Sequence, residues 1–188
     1  MQSRSLLIYK IVLVIFRCRR SIFNIDARYV VNFESPVYVC SGEEYIDSSR
    51  VICERYNDTT AVMYGEIEFL QKMEDGLILE VILKKEASGK HEVLFSHDIC
   101  DLCKEIADKA SHYKDYVKYF GIPERCPFDA GSYPIHNLVI DVSDFQIKDQ
   151  QCGAYLAELF IYKSTGYNCK YDRELLMTLK MDLSIERC

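Results

Sequence analysis

The chain has 188 residues, 49% hydrophobic and 12% aromatic, which is enough for a core of ordinary size and too apolar for a disordered chain. Its 29 acidic and 23 basic residues leave a net charge of −6, and this argues against a nucleic-acid partner, which selects a basic excess gathered on one face. Nine cysteines without the paired spacing of a metal site point to disulfides: if Cys18 leaves with a targeting segment, Cys40, Cys53, Cys100, Cys103, Cys126, Cys152, Cys169 and Cys188 remain, an even set suited to an oxidising compartment.

Residues 1–27 read as a signal peptide region. Arg4 precedes an apolar stretch, Leu6 to Phe16, that Lys10 interrupts, and Ile25-Asp26-Ala27 offers a cleavage point. A hydrophobic first strand or a short anchor is the alternative, although the run falls short of the roughly 20 residues a membrane span requires. Residues 28–188 then form one domain. Arg28 to Cys40 and Arg50 to Cys53 have strand composition, separated by the polar Ser41-Gly42-Glu43-Glu44 turn. Asn57-Asp58-Thr59 is the chain's single N-glycosylation sequon.

Ala61 to Leu70 and Leu77 to Lys85 read as the arms of a hairpin around Met73-Glu74-Asp75-Gly76, since Asp-Gly is a strong turn signal. Ala87-Ser88-Gly89-Lys90 turns the chain again into Val93-Leu94-Phe95, giving an antiparallel meander. Ile99, Leu102, Cys103, Ile106, Ala110, Tyr113, Val117 and Phe120 then follow steps of three and four, predicting one helix over about 99–120 with Asp98 as its N-cap and Gly121 and Pro123 ending it. Cys126 to Tyr133 forms a hinge into strands over Leu138 to Val142, Tyr155 to Tyr162 and Leu175 to Ile185. In the last, Leu175, Met177, Leu179, Met181, Leu183 and Ile185 alternate with polar residues, as in a strand with one wet face. The fold class expected is all-β, an antiparallel sandwich with one helix.

Catalytic patterns are sparse. The histidines at 91, 97, 112 and 136 lack the spacing of a zinc protease, and neither a G-x-S-x-G elbow nor a phosphate-binding glycine loop occurs. The sharpest enzymatic alternative is Cys100-Asp101-Leu102-Cys103 at a helix start, where the dipole favours a thiolate, as in dithiol oxidoreductases. Antiparallel surroundings oppose it, because a thioredoxin-like motif sits in a β-α-β unit. Zinc would require a second paired ligand set, and Cys126 and Cys152 stand alone. No metal, cofactor or catalytic residue is therefore expected. The inner face of a sandwich is filled by default, or it is left open for an apolar ligand.

The order C-P-F-x-x-G-x-Y at Cys126 to Tyr133, after Tyr119-Phe120-Gly121-Ile122-Pro123 and before Val139 to Val142 and the strand Gly153 to Glu158, resembles the C-terminal half of the GM2 activator protein and the related insect chemosensory-B proteins, secreted members of the MD-2-related lipid-recognition group. The likeness covers Tyr119 to Ile185 well and residues 28–98 only in pattern. Val37 to Gly42 and the long last strand make the insect branch the closer one. The resemblance implies a β-cup around an apolar cavity and a secreted, non-enzymatic carrier or sensor of lipid or pheromone-like ligands, with a membrane surface or receptor as further partner. The alternative it implies is a lipid-presenting activator of a glycolipid hydrolase. It also implies Cys40 paired with Cys169, and Cys126 with Cys100 or Cys103. The cavity wall expected from this reading comprises Leu79, Val81, Leu83, Phe128, Tyr133, Ile140, Leu159, Ile161, Met177, Leu179 and Met181, with Phe128 as a gate at the rim.

Overall fold

A computed structural model describes residues 29–57, 60–111, 113, 118–141 and 151–187. The predicted signal region, Cys18, Asp58 and Thr59 of the sequon, much of the second half of the predicted helix, and Cys188 lie outside the described residues.

The chain folds as two antiparallel sheets packed through a shared core, an all-β architecture with one short α-helix among the described residues. Strands β1 (Tyr29–Phe33), β2 (Tyr38–Ser41), β6 (Leu77–Ala87), β7 (Lys90–Ile99), β9 (Gly153–Ser164) and β10 (Arg173–Arg187) make the larger sheet. Its order is β1-β10-β9-β6-β7, with β2 also on the free edge of β10. In the smaller sheet, β5 (Thr60–Phe69) lies centrally between β8 (Gly131–Asp141) on one side and β3 (Ile46–Asp47) and β4 (Val51–Arg55) on the other. The main core draws on both sheets: Ile46, Val51, Met63, Ile67 and Phe69 from the smaller, Leu77, Met177 and Leu179 from the larger. Burying these side chains supplies about 25 cal/mol per Å² of apolar surface removed from water.

Local patterns account for several elements. Ser88 and Gly89 both have positive φ, as a two-residue type I′ turn requires, and they join β6 to β7 where the turn was expected. Gly65 sits at a shift of register in β5, with φ at +109° and room for no side chain, since a Cβ there would lie 2.1 Å from the Arg50 carbonyl oxygen.

Three expectations fail for tertiary reasons. β5 and β6 are not hairpin partners. The 70–76 segment carries the chain from the smaller sheet to the larger, held midway where Met73 and Phe128 exchange both backbone hydrogen bonds. The predicted helix is cut at both ends. Ile99 belongs to β7, opposite Leu79, and Asp98 pairs with Arg173 at 2.8 Å instead of capping. The helix α1 spans Leu102–Ala107, its N-cap is Asp101, whose carboxylate accepts from the Lys104 N–H at 2.9 Å, and Ile106 is its buried residue. It ends at Asp108, which turns extended while its side chain accepts from the Ala110 N–H, a local bond that competes with the helical one. A single 3-10 turn, Lys118–Phe120, comes after it.

The third concerns β10 and the disulfides. A shift of register between Leu175 and Met177 breaks the strict alternation, leaving Leu175 exposed. Thr178 and Ser184, expected on a wet face, are buried beneath the β1–β2 segment, where Ser41 Oγ donates to Thr178 Oγ1 at 3.0 Å and Ser184 Oγ donates to Glu34. The bridges are Cys100–Cys169 and Cys103–Cys126. The second is one of the two pairings the resemblance left open; the Cys40–Cys169 pairing is not formed. Cys40 lies in β2 beside Thr178 and Leu179, whereas Cys169 lies in the β9–β10 loop beyond Arg173, so about 17 Å of strand separates the two levels. A bridge tolerates Cα separations only up to roughly 7 Å. Cys40 and Cys53 carry free thiols, and Cys152 stands outside both bridges, half-buried ahead of β9.

Candidate ligand-binding site between the sheets

The inner face of the larger sheet is built in cross-strand rows. Leu79, Ile161 and Met177 form one row across β6, β9 and β10; Val81, Leu159 and Leu179 form the next; Leu83, Ala157 and Met181 the third. The eight members of these rows that the sequence marked as wall residues thus share one face, because alternate residues of a strand point the same way and the registers align. A last row, Lys85, Tyr155 and Leu183, closes that end.

These rows are not filled uniformly. Toward one end, Met177 and Leu179 belong to the main core with Phe69, Met73 and Phe128. Toward the other, Leu83, Tyr155, Ile185 and Val31 form a separate buried cluster. In the same rows Leu79, Val81, Ala157, Leu159, Ile161 and Met181 are only half-buried, with Leu159, Ile161 and Met181 packed against the main core and Ala157 against the smaller cluster. The half-buried side chains make an apolar strip along this face. The charged side chain in the closing row is Lys85, whose Nζ lies 5.6 Å from the Tyr155 ring centroid. Burial pushes the Tyr155 hydroxyl up to about 12, so at neutral pH it is a neutral donor, bonded to the Gln151 carbonyl.

The other predicted wall residues fall elsewhere. Phe128 is 4% exposed, its ring stacked 6.1 Å from Phe69, and Tyr133 meets Phe69 edge-on at 5.4 Å while its hydroxyl donates to the Asp129 carbonyl. Phe128 is therefore packed in the main core, where the sequence placed a gate. Ile140 pairs through its backbone with Ala61 in the smaller sheet. Open grooves of about 460 and 550 Å³ lie outside the strip: the first on the outer face of the smaller sheet, the second between β2 and β3, and neither is lined by a predicted wall residue.

No family model matches the chain, and no curated protein matches it. Among solved structures, the C-terminal domain of Wzt is similar over 89% of this chain and 81% of its own, at 11% identity and a TM-score of 0.32. A superposition that loose has no bearing on function.

Two further arrangements bear on chemistry. Cys100 and Cys103 are each bonded to a different distant cysteine instead of to one another, so the C-x-x-C pair staples α1 to the β9–β10 loop and to the hinge. Asp75 lies beside the Cys103–Cys126 bridge, but sulfurs joined in a disulfide present no thiolate to a metal. The sequence reading missed the opposite, outer face of the larger sheet. There Glu158, 3% exposed, lies 2.6 Å from Lys84 Nζ and 3.0 Å from Lys180 Nζ. Burial pushes its carboxyl up, but the two ammonium groups paired with it outweigh this and hold it below the ordinary carboxylate value. The signal was available: a lone carboxylate inside the apolar run Tyr155 to Tyr162, with lysines at alternating positions of two other strands.

Proposed function

We propose that the chain is an extracellular, non-enzymatic carrier of a hydrophobic ligand, taken up along the apolar strip of the larger sheet. The observation that supports this reading is the strip itself: Leu79, Val81, Leu159, Ile161 and Met181 lie together on one face and stay half-buried beside the buried Met177, Leu179 and Leu83 of the same rows. A core that served stability alone would bury this middle as it buries Met177 and Leu83, since each exposed methylene forgoes about 0.8 kcal/mol. Two disulfides fit an oxidising compartment, and among the described residues no helix is long and apolar enough to cross a membrane.

The lining indicates the ligand class. Its aliphatic and thioether side chains select apolar area and shape, so in a homologous series of long-chain probes each added methylene is expected to tighten binding up to about fourfold, the equivalent of ~0.8 kcal/mol, until the strip is covered. Native mass spectrometry of protein secreted from an animal cell host, before and after organic extraction, is expected to show bound lipid that extraction removes. Leu159→Trp, which fills the middle of the strip, is expected to weaken probe binding by about tenfold or more. A ligand-free native spectrum together with no uptake of any probe would sink the carrier reading.

A further inference from the structure

We propose that the groove on the outer face of the smaller sheet is a docking platform for this protein's own N-linked glycan at Asn57. The proposal rests on the extracellular reading, because such glycans are added in the secretory pathway, and it concerns the opposite side of the molecule from the apolar strip.

The groove, of about 460 Å³, is lined by Glu54, Tyr56, Thr60, Val62, Tyr64, Asn137 and Val139. Its floor is a cross-strand row, Glu54, Val62 and Val139 on β4, β5 and β8, and the next row along pairs Ile52 with Tyr64. The face exposes three large apolar side chains: Tyr56 is 74% exposed, Val139 53% and Ile52 45%. No element of the chain among the described residues lies over it.

The sequon supplies the cover. Asn57 is exposed and follows Tyr56 directly, and its backbone N–H donates to the Thr60 carbonyl at 3.2 Å. Tyr56 and Thr60 both line the groove. Attachment would join Asn57 Nδ2 to the anomeric carbon of a lipid-linked oligosaccharide, releasing its lipid pyrophosphate and one amide proton. The first sugars would then start at the residue after Tyr56, which lines the groove.

The lining also has the chemistry a sugar requires. A pyranose offers an apolar C–H face and a rim of hydroxyls. Tyr56 and Tyr64 provide aromatic surface, and the Glu54 carboxylate, the Asn137 amide and the Thr60 hydroxyl provide acceptors and donors around it. Burial first, and then the neighbouring Glu54 carboxylate, push the Tyr64 hydroxyl above its ordinary value, so the two polar groups lie close together in the groove. Asn137 sits at φ +45°, a conformation that asparagine tolerates better than most residues.

The test is hydrogen exchange by mass spectrometry on the full chain secreted from insect cells. Three forms are compared: native, enzymatically deglycosylated, and Thr59→Ala, which lacks the sequon but keeps Asn57. With the glycan present, amides of β4 and of the first half of β5 are expected to exchange about fivefold more slowly. Tyr56→Ser, glycosylated but without the aromatic surface, is expected to lose most of that slowing. Secreted protein with a bare Asn57, or equal exchange with and without the sugar, overturns the proposal. Should Thr59→Ala fail to accumulate, the deglycosylated native protein supplies the same comparison. Bound lipid is read in the native spectra of the same samples, so failure of the carrier reading and failure of this one are seen separately.

Discussion

Replacing Glu158 by Ala is expected to destabilise the fold by about 3 kcal/mol, the lower end of the range for removing one partner of a buried ion pair and leaving the others uncompensated. The lower end applies because Lys84 and Lys180 keep about a quarter of their side-chain surface, at 26% and 27%, and can turn toward water. The direction of the shift sets the pH dependence. The carboxyl titrates below its ordinary value in the folded state, so its contribution is complete at neutral pH and is lost as pH falls through the folded value. The hydrogen bond that Lys180 donates to Glu158 raises the lysine above its ordinary value, so that partner's contribution is lost only in strong alkali, as pH rises through the raised value. Urea midpoints measured from pH 7 down to pH 3 are expected to fall more steeply in the wild type than in Glu158→Gln, which has no carboxyl to protonate. Parallel profiles would remove Glu158 from the account of stability.

Loss of the Cys100–Cys169 bridge, by replacing both cysteines with serine, is expected to cost about 4 kcal/mol, and loss of Cys103–Cys126 about 3 kcal/mol. The ranking comes from the loops closed, 69 against 23 residues, since a longer loop restricts the unfolded chain more. The two bridges also differ in the elements they hold. Cys100–Cys169 ties the start of α1 to the β9–β10 loop, which otherwise rests on a few bonds around Asp172 and Asn168. Cys103–Cys126 ties α1 to the hinge that sets Phe128 against Phe69. A non-reducing peptide map shows the connectivity and thermal melts show the ranking; a map joining Cys40 to Cys169 would contradict the structure outright.

Both predictions concern features a linear reading finds only in part. The C-x-x-C motif is conspicuous, and the resemblance left Cys100 and Cys103 as rival partners of Cys126; only spatial position assigns each cysteine a separate partner. Glu158 stands out as a charge in an apolar run, but its partners lie in strands 74 and 22 positions away, and only the registers of β6 with β9 and of β9 with β10 bring them together. Phe128 shows the converse. Its neighbourhood in the sequence is the most distinctive in the chain and points to a rim, whereas the exchange of backbone bonds with Met73 draws it into the core.

The sequence by itself determined the elements whose signals are local. Alternation of apolar and polar residues needs only neighbours two apart, so the existence of β6, β9 and β10 and the shared face of Leu79, Val81 and Leu83 within β6 were legible, as was the Ser88-Gly89 turn, whose backbone requirement lies in the turn itself. Tertiary structure alone decided the features that depend on a distant partner. Leu79 claims Ile99 for β7 and shortens the helix; β8, β3 and β4 take both edges of β5 and leave β6 to the other sheet; the level of β2 along β10 keeps Cys40 from Cys169. Periodicity says which way a side chain points along its own strand. The strand it meets across the sheet is chosen by the whole set of edges competing for one another's hydrogen bonds, and that competition has no trace in any single stretch of the chain.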